Sequence, residues 1–142
     1  MDSAAPLKFD TVRFVTKTKY ISNVNQYLFK HDVDIETGEL ISIEYQPNRH
    51  TDITPFELYI RANYRSNRMT IEFSSKILLA DYPLLISIQT FRQCLLNIET
   101  LGICKLDIES ITEDCYFNKL YITKDIQLEL TSAILDRLNQ CT

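Results

Sequence analysis

Six side chains in two stretches of the sequence have the chemistry to hold nucleic acid. Tyr59, Arg61, Arg65 and Arg68 fall within FELYIRANYRSNRMTIEFSSKILL (Phe56 to Leu79), and Lys119 and Tyr121 within FNKLYITKDI (Phe117 to Ile126). Guanidinium and ammonium groups bind phosphate oxygens through charge-assisted hydrogen bonds. Tyrosine rings offer a face on which bases stack irrespective of sequence. The same two stretches carry Glu72 and Asp125, whose carboxylates are hard oxygen donors suited to a divalent cation. Alternating charge and tyrosine also describes a solvated strand face, where such residues serve cross-strand pairing and solubility. Other constellations point nowhere. There is no Gly-rich phosphate loop and no helix with two zinc-binding histidines, and neither His31 nor His50 has a cysteine near it in sequence. Asp32, Asp34 and Glu36 alternate like the start of a calcium loop but lack the rest of that pattern, and they are read as a charged turn.

These side chains must be positioned by elements that the hydrophobic period reveals. In TVRFVTKTKY, Val12, Phe14, Thr16, Thr18 and Tyr20 alternate with Arg13, Lys17 and Lys19, the period of a half-buried strand. A turn signal at Thr37 and Gly38 precedes a second strand at Leu40 to Gln46, and the segment from Pro47 to Pro55 reads as a loop. Phe56, Leu58, Ile60 and Ala62, then Met69, Ile71 and Phe73, mark the two strands of a hairpin, with Tyr59, Arg61, Arg68, Thr70 and Glu72 on its polar face. At Leu84 the period lengthens to three or four, and a helix is expected through Leu101, stopped by Gly102. A short strand at Ile103 to Ile108, the acidic stretch IESITED, a strand over Tyr116 to Ile126 and a last helix carrying Leu130, Ala133, Ile134 and Leu138 follow. The expectation is one α+β domain: an antiparallel sheet with helices packed on one face and the other face open.

Composition limits the function. With 142 residues, 45% hydrophobic and 24% charged, the chain has the size and make-up of one globular domain. A net charge of −4 excludes a general polyanion binder, so any contact with nucleic acid is local. No apolar run approaches the ~20 residues that cross a bilayer, and MDSAAPLKFD lacks the regions of a signal peptide. A cytoplasmic protein without a membrane partner is expected. Cys94, Cys104, Cys115 and Cys141 fit no zinc spacing and read as reduced, mostly buried thiols.

IEFSSKILL (Ile71 to Leu79) resembles the segment of plasmid and phage rolling-circle replication initiators in which a strand ending in an acidic and an aromatic residue runs into a turn and a lysine. FNKLYITKDI resembles the later strand of the same proteins, with the helix from Leu84 to Leu101 between the two. The resemblance spans Phe56 to Gln140 and corresponds to the amino-terminal part of the family's nicking domain. It implies binding of single-stranded or origin DNA, and cleavage of one strand with a metal and a tyrosine that becomes linked to the DNA 5′ end. On that basis Arg61, Arg65 and Arg68 would contact phosphates, Tyr59 and Tyr121 would stack, and Glu72 with Asp125 would hold Mg²⁺ or Mn²⁺ against the scissile phosphate. Lys119 matches the family's basic residue. The pattern departs at Tyr121, where an acid is expected, and at Ser74 and Ser75, which replace Asn-Pro. The nucleophilic tyrosine would lie beyond Thr142, so the chain reads as a piece of a longer initiator or as a relative that keeps the fold without the chemistry. The alternative from another class is a non-catalytic protein-interaction or structural domain.

Overall fold

The computed structural model describes residues 8–47, 49–123 and 126–127. Seven strands form one antiparallel sheet: β1 (Thr11–Thr16), β3 (Lys30–Val33), β4 (Leu40–Tyr45), β5 (Leu58–Asn63), β6 (Arg68–Ser74), β8 (Tyr116–Thr123) and β9 (Ile126–Gln127), in the order β3-β4-β5-β6-β1-β8-β9. Two further short strands, β2 (Ile21–Ser22) and β7 (Lys105–Leu106), pair with each other. The α-helices among the described residues are α1 (Ile88–Thr100) and α2 (Ile108–Glu113). The α+β expectation is met.

Alternation sets the inner face. Val12 and Phe14 of β1, Leu58, Ile60 and Ala62 of β5, Met69, Ile71 and Phe73 of β6 and Leu120 of β8 are all buried. Helix α1 lays Phe91 over this face, where its ring meets Phe14 (centroids 5.1 Å apart), Phe117 (5.2 Å) and Phe73 (6.4 Å). Such edge-on and offset arrangements suit the aromatic quadrupole. Cys94, Leu95 and Ile98 of α1 and Ile108 and Ile111 of α2 belong to the same core.

The hairpin of β5 and β6 stands as the alternation implies, with Leu58 opposite Phe73 and Asn63 opposite Arg68. Other boundaries move. The helix expected from Leu84 begins at Ile88, because Ser87 and Thr90 form a capping box and Ser75–Leu84 is instead 3₁₀, broken at Leu79 with φ 58°. The first strand stops at Thr16, since Thr18–Tyr20 makes a 3₁₀ turn. The acidic stretch IESITED is helical through Glu113, N-capped by the Asp107 side chain, which accepts from Ser110 N–H. Asp34 is a turn residue as expected: its Oδ1 accepts from the N–H groups of Glu36 and Thr37. The last helix lies outside the described residues. Among the described residues no helix is long and apolar enough to cross a membrane.

Candidate nucleic-acid interface

The outer face of the sheet presents four rows of side chains set by register, one of them Ser42, Asn63 and Arg68 across β4, β5 and β6. A second runs Lys30, Glu44, Arg61, Thr70, Val15 and Tyr116 across β3, β4, β5, β6, β1 and β8. The next carries Tyr59, Glu72, Arg13 and Lys119, and beyond it come Ser74, Thr11 and Tyr121. Adjacent strands are about 4.8 Å apart, so Arg61, Arg13 and Lys119 span roughly 14 Å of one surface. Five of the six residues singled out from sequence, Tyr59, Arg61, Arg68, Lys119 and Tyr121, thus share a face.

Arg61 and Arg68 are exposed, and the Arg68 guanidinium donates to the Tyr116 hydroxyl at 2.7 Å. The Tyr59 hydroxyl donates to Glu44 Oε2 at 3.0 Å, and burial together with that carboxylate pushes its pKa up, so it remains a neutral donor. Between Tyr59 and Ser74 the surface dips into a shallow hollow of about 260 Å³, bordered also by Thr11, Glu57 and Glu72.

Arg65 is elsewhere. It sits in the β5–β6 turn, where its guanidinium donates to Asp34 Oδ2 at 2.8 Å and lies 4.0 Å from a Glu39 oxygen. It joins the hairpin tip to the β3–β4 turn. The hydrogen bond from the Thr37 N–H, with those from the Arg65 guanidinium and the Glu36 N–H, holds the Asp34 carboxyl below the usual range.

Glu72 does not face a second carboxylate. Its cross-strand neighbours are Tyr59 and Arg13, with Arg13 Nε 3.9 Å from Glu72 Oε1, and β1 lies between β6 and β8. Ligand oxygens must come within about 2.0–2.6 Å of one ion, whereas strands separated by a third lie about 9.6 Å apart. The nearest charged neighbour of Glu72 among the described residues is thus an arginine rather than a second carboxylate. Asp125 lies outside the described residues. Among the described residues no group of three or more His, Cys, Asp or Glu side chains is placed to hold a metal.

Arg13 is the functional candidate that reading from sequence missed. Its Nε is buried and has no hydrogen-bond partner among the described residues, while it stands between Glu72 and Lys119 at the centre of the sheet. Alternation with Val12 and Phe14 already marked it as outward-facing. Its place beside Lys119 depended on β1 entering between β6 and β8. Set against family models, curated proteins and solved structures, the chain has no match in any of the three comparisons.

Proposed function

We propose that the domain binds single-stranded DNA across the outer face of its sheet, as a binding module within a replication-initiator-like protein. Arg13, Arg61, Arg68 and Lys119 contact phosphates, and Tyr59 and Tyr121 supply ring faces or hydroxyls to the bases. The observation that carries the reading is the convergence of four cations and two tyrosines from β1, β5, β6 and β8 on one surface of an acidic chain. The reading involves no metal-dependent step, since the cross-strand neighbours of Glu72 are Tyr59 and Arg13 and neither is a second carboxylate.

The test is anisotropy titration of a labelled thymidine oligonucleotide at several salt concentrations. Binding that weakens linearly with log salt supports the reading, since each phosphate contact releases counterions. Affinity that is undetectable at low salt, or independent of salt, overturns it.

A second reading, a protein-interaction or structural face, draws on Glu44 and Glu72. Glu44 stands between Lys30 and Arg61 in register, and Glu72 beside Arg13, so part of the cationic charge is balanced within the sheet. Charge ladders of this kind stabilise antiparallel sheets without any ligand. Failure of the salt titration would leave this reading standing.

A further inference from the structure

We propose that β3 is a self-complementary edge, and that the partner it fits is a second copy of this chain, paired antiparallel about a two-fold axis at His31. Strand β3 is at the end of the sheet order, and no described residue pairs with its outer side. The Ile41 carbonyl accepts from Tyr64 N–H at 2.8 Å, so it points toward β5. Peptide groups alternate sides along a strand, so Ser42 and Glu44 turn theirs toward β3. Their partners Asp32 and Lys30 therefore face inward, and the N–H and C=O of His31 and Val33 line the free edge. The Asp34 N–H, bonded to the Glu39 carbonyl at 2.8 Å, continues the same alternation. The bulge between β3 and β4 falls on β4, where Ile41 is the extra residue, and leaves β3 regular.

An exposed edge of this kind is a template for another strand. Edges are blunted against pairing by proline, bulges, short length or charge. This one carries Lys30 and Asp32, both exposed and on the outer face, one residue either side of His31. A two-fold at a hydrogen-bonded His31 pair sets Lys30 of each copy opposite Asp32 of the other, in the closer, non-hydrogen-bonded register where side chains approach best. Charges that complement themselves about the centre of a strand with one free edge select a second copy over an unrelated partner. The axis is perpendicular to the sheet, so both outer faces lie on the same side of the joined sheet. The pairing does not depend on what those faces bind.

Sedimentation equilibrium of the full chain tests this. A strand-edge contact is small, so the expected dimer dissociation constant is on the order of 10–100 µM. Lys30→Asp or Asp32→Lys alone turns both opposed pairs into like-charge pairs, and each should weaken the dimer by about tenfold or more. The double variant restores opposite charges and should return to within about threefold of wild type. His31→Pro removes a donor that β4 does not use and should abolish the dimer, while its unfolding in urea at low protein concentration verifies that the sheet persists. A wild-type chain that stays monomeric to about 1 mM overturns the proposal. So does a double variant as weak as the single ones, or a folded His31→Pro variant that dimerises like wild type.

Discussion

Replacing Arg61 and Arg65 separately by alanine distinguishes a surface that binds phosphate from a sequence that is merely rich in arginine. Both residues lie in one hairpin, four positions apart, and sequence alone treats them alike. The structure does not. Arg61 projects from the middle of β5 on the outer face, exposed, with no carboxylate within ion-pair distance among the described residues. Arg65 is held in the turn by Asp34 at 2.8 Å, with Glu39 4.0 Å away. If Arg13, Arg61, Arg68 and Lys119 each neutralise one phosphate, the slope of log affinity against log salt should be about −2.8, from about −0.7 per contact on single strands. Arg61→Ala should reduce it to about −2.1 and cost roughly fivefold in affinity at 0.1 M salt. Arg65→Ala removes a charge already compensated, so the slope should stay within error of wild type. Its effect should appear instead as a stability loss of at most about 1 kcal/mol, the ordinary worth of an exposed ion pair. The assay is anisotropy of a labelled oligonucleotide, with urea unfolding on the same samples. Equal slope changes in the two variants, or a larger one for Arg65→Ala, would refute the assignment of phosphate binding to the outer face.

Three further outcomes follow from the core and its margins. Phe91→Ala opens a cavity where three phenylalanine rings converge and should lower unfolding free energy by about 3–5 kcal/mol, read as a shifted urea midpoint; a loss under about 1 kcal/mol would mean that α1 does not pack as described. Burial pushes the Cys94 and Cys104 thiols up to about 12 from 9.0, which lowers their thiolate fraction roughly a thousandfold. Mass-spectrometric mapping after iodoacetamide at pH 8 should therefore find both unmodified until denaturant is added. The Asp114 carboxyl is held below its usual range by the Tyr20 hydroxyl and by Lys17, 2.8 Å and 3.0 Å away. A depressed folded-state value means that its contribution is present above the unfolded value of about 3.9 and lost as pH falls through the lower, folded one. The stability difference between wild type and Asp114→Asn should hold at pH 6 and shrink at acid pH; a difference that grows on acidification would contradict the arrangement.

What the amino-acid order determined is local. The period-two runs around Phe14, Ile60 and Ile71 and the period of three to four around Leu95 could be read directly, because a side chain's face follows from backbone geometry alone. So could the outward direction of Tyr59, Arg61 and Glu72, and the turn at Asp34. Helix α2 was obscured because only Ile108 and Ile111 mark its buried side, and a segment of two turns carries too few apolar positions to establish a period. The start of α1 shifted for a related reason: Leu84 continues the apolar rhythm, but the chain bonds Ile86 to Phe9 and caps at Ser87. Tertiary structure alone decided the neighbourhoods. Strand β1 enters between β6 and β8, pairing Thr11 with both Ser74 and Tyr121, contacts that span most of the chain and leave no periodic trace. That insertion separated Glu72 from β8, set Arg13 beside it, and made one surface of residues that the sequence holds apart. The pull of Asp34 on Arg65 is of the same kind: it joins two turns thirty-one residues apart, and no spacing within either turn announces the other.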